Sequence, residues 1–302
     1  MAKKRCLVTG GTGFIGYNLT LELLKQGYDV LITGREGENY AGVKHLLAGY
    51  DLFSLDWERI GNIEILFHQA AIVDTTFLDQ KEMIRVNCEG SKDLFEKAVR
   101  AGCRHIVYAS STATYGNEPA PYREGVTKQN PLNPYGVSKK MLDDYALQFS
   151  ANHPDITVVG LRYCNVYGPH DAHKGKMRCY LTQMAEQMRK GNPRLFRDGE
   201  QKRDYIYIKD LIRANILSSQ SKESCIVNCG SGKAVSFNRL VELLNKTLGL
   251  NRIPEYIDNP YEKSYQSYTE CDMTLAAQKI GFVPAYSVEE GIKDLYGKAP
   301  AV

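Results

Sequence analysis

A glycine-punctuated turn near the start of the chain, Thr9-Gly10-Gly11-Thr12-Gly13-Phe14-Ile15-Gly16, narrows the fold more than any other stretch. The short apolar run before it, Cys6-Leu7-Val8, has the pattern of a buried strand. After it Phe14, Ile15, Leu19, Leu21, Leu23 and Leu24 recur at helical spacing. Strand, glycine turn and helix together present backbone N–H groups and the positive end of a helix to a diphosphate. In that arrangement Gly10 permits the tight turn, Gly13 the close approach of a pyrophosphate, and Gly16 the packing of helix on strand. Thr12, Phe14 and Ile15 complete a cofactor-binding turn. The spacing, Gly-x-x-Gly-x-x-Gly, is one residue wider than the Gly-x-Gly-x-x-Gly of ordinary dehydrogenases. A glycine-rich loop with no ligand is the alternative, and the strand–turn–helix context disfavours it.

The rest of the first half keeps the same rhythm. Strands are expected at 29–33, 63–67, 105–109 and 157–161, and helices at 82–101 and 135–149. A strand-like run, Leu52-Phe53-Ser54-Leu55, ends at Asp56, which either accepts from an adenine amino group or is a turn aspartate. From about Gly168 the rhythm changes: helices are expected at 177–189, 210–218 and 236–248, with strands at 205–208 and 225–228. Ser287-Val288-Glu289-Glu290 is a capping box for a last helix. The chain is therefore expected to be α/β, a Rossmann-type doubly wound parallel sheet with a smaller C-terminal α/β lobe for substrate. The dinucleotide-binding domain would cover residues 1–167 and the lobe mainly 168–302, with segments near 204–230 returning to the sheet. Ligands of such a sheet lie beyond the carboxyl ends of its strands.

Composition excludes several partners. A net charge of +3 over 302 residues is too weak to argue for nucleic acid, though it suits an anionic small substrate. No apolar run is long enough to span a membrane, and Met1-Ala2-Lys3-Lys4-Arg5 leads into a strand, not a signal-peptide core. The eight cysteines form no Cys-x-x-Cys pair and read as reduced, mostly buried thiols of a cytoplasmic protein. No metal site is visible, because the six His are scattered and His170 and His173 lack a third ligand.

Three Tyr-x-x-x-Lys pairs occur, Tyr40/Lys44, Tyr135/Lys139 and Tyr205/Lys209. Only Tyr135 opens a helix after a strand that ends in hydroxyls, Ser110-Ser111-Thr112, where a nicotinamide would lie. A tyrosine of ordinary pKa ~10 is a poor base near neutrality. A lysine cation about 4 Å away at an effective dielectric near 20 favours the phenolate by about 4 kcal/mol, before desolvation offsets part of it. Lys139 is thus expected to bring Tyr135 toward working range and to bind the nicotinamide ribose, while Ser111 holds the substrate hydroxyl. A helix start with a solvated lysine is the alternative. Where enzymes selecting NAD usually carry an acidic residue, this chain has Thr33-Gly34-Arg35, which favours NADP through Arg35. Glu36 and Glu38 leave NAD open.

Taken in order, Thr9-Gly10-x-x-Gly13-x-x-Gly16, His68-Gln69-Ala70-Ala71, Ser110-Ser111-Thr112-Ala113-Thr114-Tyr115-Gly116, Tyr135-x-x-x-Lys139, Arg162-Tyr163-Cys164-Asn165-Val166-Tyr167-Gly168-Pro169 and Arg203-Asp204-Tyr205 span nearly the whole chain. Jointly they resemble the extended short-chain dehydrogenase/reductases that act on nucleotide sugars. The resemblance implies a cofactor site that includes Ala70, and a substrate site with Ser111, Thr112, Asn165 on the sugar nucleotide and Arg203 on its diphosphate. An arginine fork suits that last task. His173-Lys174-Gly175-Lys176-Met177 and Tyr265-Gln266 further resemble the heptose 6-epimerase branch. There the resemblance implies oxidation to a ketone, presentation of the other face and hydride return, with two acid/bases, Tyr135 and Lys174, and with Tyr265 at the substrate. Lys174 as a solvated loop lysine stays equally open. Ser264 and Gly34 depart from that branch, which carries an arginine and an acid there.

A UDP-hexose 4-epimerase would use Tyr135 alone and rotate the keto sugar. A dehydratase needs an Asp-Glu pair where this chain has Ala113-Thr114, and is disfavoured. Gly168-Pro169-His170-Asp171 suggests a deoxysugar synthase that would consume NADPH, and a catalytically silent dinucleotide-binding module is the remaining class. The resemblance also implies a homo-oligomer.

Overall fold

The computed structural model describes residues 3–34, 44–47, 52–74, 77, 79–171, 175, 177–260 and 266–297. β1 (Arg5–Thr9) enters the glycine turn and α1 (Phe14–Lys25), followed by β2 (Asp29–Gly34) and β3 (Lys44–Leu47). Next come α2 (Trp57–Ile60), β4 (Ile65–His68), α3 (Gln80–Ile84), α4 (Gly90–Arg100), β5 (His105–Ser111), α5 (Pro134–Asn152) and β6 (Thr157–Tyr163). The second half runs β7 (Asn165–Tyr167), α6 (Tyr180–Lys190), β8 (Arg194–Phe196), β9 (Lys202–Tyr207), α7 (Ile208–Ser218), β10 (Cys225–Cys229), β11 (Ala234–Ser236), α8 (Phe237–Leu248), β12 (Glu255–Ile257), β13 (Tyr268–Thr269), α9 (Thr274–Ile280) and α10 (Val288–Tyr296).

Seven parallel strands form the main sheet in the order β10-β6-β5-β4-β1-β2-β3. Side chains alternate across it, as strand geometry requires. Cys6 and Val8 of β1 join a core with Leu19 and Leu23 of α1 and Leu211 and Ala214 of α7. Leu7 faces the opposite core, with Leu94 and Phe95 of α4 and Leu142 and Phe149 of α5. The doubly wound sheet expected from the alternation of elements is therefore present. The order reverses between β1 and β4, and a ligand crevice opens at such a switch point. A smaller sheet, β11-β9-β13 with β7 also on β9, and the pair β12–β8 make up the second region. β10 crosses back to pair with β6, so the chain after 168 is interleaved with the main sheet.

Two local expectations are corrected. The 82–101 helix is interrupted: a π turn, Arg85–Glu89, lies between α3 and α4. Its wider winding lets the Asn87 amide reach back to Ile72, accepting from the Ile72 N–H at 2.8 Å and donating to its carbonyl at 2.9 Å. The strand-like run at Leu52 is a 3₁₀ turn, Leu52–Ser54, that buries Leu52. Asp56 after it caps α2, accepting from the Arg59 N–H at 3.1 Å.

Gly16 has the least room of the turn glycines. A Cβ there would lie 2.2 Å from the Gly10 carbonyl oxygen, so its role is packing of the helix on the turn itself, not on the strand. Gly16→Ala is expected to destabilise the protein by about 1–3 kcal/mol, as overpacking does, and to abolish dinucleotide binding by displacing the turn. Urea unfolding and a fluorescence titration with NADPH measure the two effects, and unchanged values in both would sink this account.

Candidate active site

The glycine turn, His68-Gln69-Ala70-Ala71, Ser110-Ser111-Thr112 and Arg162-Tyr163 lie at the carboxyl ends of β1, β4, β5 and β6 of the main sheet, whereas Arg203-Asp204-Tyr205 lies on β9 of the smaller one. Gly10, with φ +68°, sits so close to the end of β4 that a Cβ would lie 2.9 Å from Ala70 backbone atoms. Gly13, by contrast, faces space: a Cβ there would meet only the Gly10 carbonyl oxygen, at 3.3 Å. No side chain caps the start of α1 at Gly13. Open space beside an uncapped helix start fits the diphosphate of a dinucleotide. Thr12 packs on the end of β2, where a Cβ at Gly34 would lie 2.2 Å from its Oγ1, so the strand end carries no side chain where an acid would hold a ribose hydroxyl. Phe14 is buried in the core and Ile15 is half-buried against it.

His68, at the end of β4, is fully buried and bridges Thr9 Oγ1 at 2.7 Å and Ser91 Oγ at 2.8 Å. Burial, reinforced by the Lys139 charge, pushes its pKa down to about 3, so the ring is neutral at any physiological pH. Thr9 Oγ1 in turn accepts from the Ala70 N–H at 3.3 Å, which ties the two loops of the crevice together.

Asn133 caps α5, accepting from the Gly136 N–H at 2.8 Å, and Pro134 opens the helix. This start sets Tyr135 and Lys139 one turn apart beside the end of β5. Ser111 Oγ accepts from the Ala113 N–H at 3.1 Å and lies beside the Tyr135 hydroxyl, whose pKa it lowers. The buried Lys139 ammonium donates to the Ala109 carbonyl at 2.7 Å and lies 5.8 Å from the centre of the Tyr135 ring. The structure thus brings Ser111, Tyr135 and Lys139 together.

Their electrostatics differ from the simple expectation. Burial raises the Tyr135 pKa above the ordinary tyrosine value, and Ser111 offsets only part of that. The Lys139 charge does not outweigh this burial. Desolvation instead pushes Lys139 itself down to about 8, against the opposing pull of Asp143. With a depressed pKa the ammonium is complete below about pH 8 and is lost as pH rises through it. If Lys139 acts as a cation, kcat/KM should be flat below pH 8 and fall tenfold per unit above it. A pH–rate profile still flat to pH 10 would exclude a charged Lys139 from the reaction.

Beneath these groups runs a buried polar chain. Asp143 accepts from Tyr108 OH at 2.9 Å and Arg162 Nε at 2.8 Å, Arg162 Nη1 donates to Tyr115 OH at 2.8 Å, and Tyr115 OH donates to Asn228 Oδ1 at 2.8 Å. A second set joins two strand ends and α7: Tyr163 OH bonds Gln69 Oε1 and Asn215 Oδ1, each at 3.0 Å, and Gln69 Nε2 donates to Asn215 Oδ1 at 3.0 Å.

Among the expected substrate residues, Thr112 donates to the Tyr163 carbonyl at 3.2 Å. Asn165 Nδ2 donates to the Asp204 carbonyl at 2.8 Å, which ties β7 to β9. Arg203 donates to the Lys202 carbonyl at 2.9 Å, its guanidinium 5.7 Å from the centre of the Phe237 ring. Arg35, Lys174 and Tyr265 lie outside the described residues. The residue after Tyr265, Gln266, donates from Nε2 to the Gly116 carbonyl and so reaches the end of the hydroxyl-bearing loop.

Reading the sequence missed Asn87 and Asn215 as parts of this scaffold, and gave His68 and Gln69 no role beyond their place in a motif. For Asn87 and Ser91 the signal was available. They stand at i+4 and i+8 from buried Met83, on the apolar face of a helix, where polar side chains need a partner.

A glycine-turn dinucleotide site joined to a Ser–Tyr–Lys constellation on a doubly wound sheet defines an extended short-chain dehydrogenase/reductase. A model of the NAD dependent epimerase/dehydratase family matches residues 6–230, and the chain belongs to that family, among its nucleotide-sugar epimerases. The ADP-L-glycero-D-manno-heptose-6-epimerase of Helicobacter pylori is 32% identical over 97% of this chain and 95% of its own, with a TM-score of 0.87. The UDP-glucose 4-epimerase of Thermotoga maritima, solved with UDP-glucose, is 29% identical over 97% of each chain, TM-score 0.86. MoeE5, solved with UDP-glucose and NAD, is 29% identical over 97% of each chain, TM-score 0.85. Among the described residues no helix is long and apolar enough to cross a membrane.

Proposed function

We propose that the protein epimerises an ADP-glycero-manno-heptose at C6, with Tyr135 and Lys174 as acid/bases on opposite faces of the sugar. The observation that carries the chemistry is the Tyr135 hydroxyl beside Ser111, with the Lys139 ammonium held by the Ala109 carbonyl 5.8 Å from the Tyr135 ring. A bound nicotinamide dinucleotide supplies the hydride acceptor and donor. The Gly10–Gly16 turn and Ala70 hold its diphosphate side, Lys139 its nicotinamide ribose, and Asp56 borders its adenine. Arg35, after a strand end that bears no acid, favours NADP over the NAD bound by MoeE5.

Ser111 and Thr112 orient the reacting hydroxyl. Tyr135 takes or returns its proton at one face, and Lys174 does so at the other. Asn165 contacts the sugar nucleotide, and Arg203 and Tyr265, on a substrate lobe made mainly of residues 168–302, bind its diphosphate and border the substrate, respectively. The heptose reading is supported by the His173-Lys174-Gly175 segment and by the similarity to the H. pylori enzyme. A second reading, a UDP-hexose 4-epimerase, is favoured by the equally extensive similarity to the T. maritima enzyme.

The test is NMR analysis of product after incubation with ADP-D-glycero-D-manno-heptose and no added reductant. Conversion to the L-glycero epimer, lost in both Tyr135→Phe and Lys174→Met, is the expected result. Turnover of a UDP-hexose pair that is indifferent to Lys174→Met would replace this reading with the 4-epimerase. Nucleotide released by denaturing the purified protein, separated by chromatography, identifies the cofactor.

A further inference from the structure

Two thiols far apart in sequence meet where the substrate region joins the main sheet. Cys164 Sγ lies 3.3 Å from Cys271 Sγ, and both are buried, at 8% and 2% exposure. Their backbones are held independently. The Cys164 N–H donates to the Cys229 carbonyl at 3.0 Å, and the Cys271 N–H donates to the Asp204 carboxylate at 3.1 Å. Cys271 also bridges to Tyr122, with the Glu270 carbonyl accepting from the Tyr122 N–H at 2.7 Å.

Asp204 completes a triad with its carboxylate oxygen near both sulfurs, but it already accepts from Ser231 N, Ser231 Oγ and Gly232 N as well as Cys271 N. A carboxylate so satisfied is a poor candidate for a metal ligand. Nothing comparable occupies the sulfurs, and a disulfide requires them to close by only about 1.3 Å from their 3.3 Å separation.

We propose that Cys164 and Cys271 are a reversible disulfide site, closed by a peroxide and opened by a thiol reductant. The more exposed Cys164 sulfur attacks the peroxide O–O bond, giving a sulfenic acid and water. The Cys271 sulfur then displaces the sulfenic hydroxyl, which leaves with the Cys271 proton as a second water. One peroxide is reduced and two thiols are oxidised. The hydrogen bond with Cys164, together with burial, holds the Cys271 thiol protonated, its pKa well above the ordinary value, so it resolves the sulfenic acid only once Cys164 has reacted. The cross-link would fix the residue before Asn165 to the strand segment that follows Gln266, and thus join the sheet to the substrate side.

The experiment is treatment of the whole protein with hydrogen peroxide, alkylation of the remaining thiols, and peptide mass spectrometry without reduction. A peptide joining Cys164 to Cys271, lost on dithiothreitol treatment, is the expected product. It should be accompanied by a rise in Tm of about 5 °C, because the closed loop is long. Recovery of both cysteines alkylated, trapped separately as sulfinic acids, or joined to other cysteines would overturn the proposal. Because this readout is made on the unmutated protein, it depends neither on the folding of a variant nor on the identity of the sugar substrate.

Discussion

Tyr135→Phe is expected to lower kcat about a thousandfold, within the 10²–10⁴ range of a positioned acid/base. KM and dinucleotide affinity should change little. The change removes one oxygen and leaves the ring in place. Burial keeps the Tyr135 hydroxyl protonated at neutral pH, so it is poised first as an acid beside Ser111. Loss of that proton in the oxidation half-reaction needs compensation close by, and Lys139, fixed by the Ala109 carbonyl, is the nearest cation seen in the helix. Ser111→Ala should therefore cost activity too, and the double variant should lose much less than the product of the single losses, because the two hydroxyls act as a unit. Steady-state kinetics with retained thermal stability checks all three. A Tyr135→Phe enzyme with more than a tenth of the original kcat would remove this residue from the chemistry.

The second large effect concerns stability. Arg162→Met is expected to cost about 3–5 kcal/mol, because it strands the Asp143 carboxylate in the core. Asp143 and Arg162 side chains are 1% and 5% exposed, and their 2.8 Å contact links α5 to β6 directly under Lys139. Burial already raises the Asp143 pKa, and the Arg162 charge is the chief force opposing that rise. Replacing both members, Asp143→Leu with Arg162→Met, should recover a large part of the loss, since an apolar pair leaves no buried charge without its partner. Urea unfolding of the three variants measures the coupling. A loss under 1 kcal/mol in Arg162→Met would mean that water reaches the pair.

Much of this was legible in the chain itself. The glycine turn, the alternating strands and helices, and the Ser111, Tyr135 and Lys139 pattern follow from short-range rules: periodicity, φ requirements and the reach of one helical turn. The π turn at Asn87 and the 3₁₀ turn at Leu52 escaped those rules. Each is fixed by a distant partner, the Ile72 backbone in one case and burial against the α4 side of the sheet in the other. The charge state of the site escaped for the same reason. Spacing puts Lys139 near Tyr135, but burial raises the Tyr135 pKa and depresses that of Lys139, and burial is not set by spacing.

Sequence by itself determined the class of fold and pointed to the place proposed for the dinucleotide and to the hydroxyls proposed to react, because these depend on residue types at fixed local separations. Tertiary structure alone decided what lies beneath and across them: the neutral His68, the Asp143–Arg162 chain, the Gln69–Tyr163–Asn215 cluster and the facing sulfurs of Cys164 and Cys271. Those contacts join residues separated by up to 146 positions. Only packing brings such groups together, and only burial sets how strongly they interact.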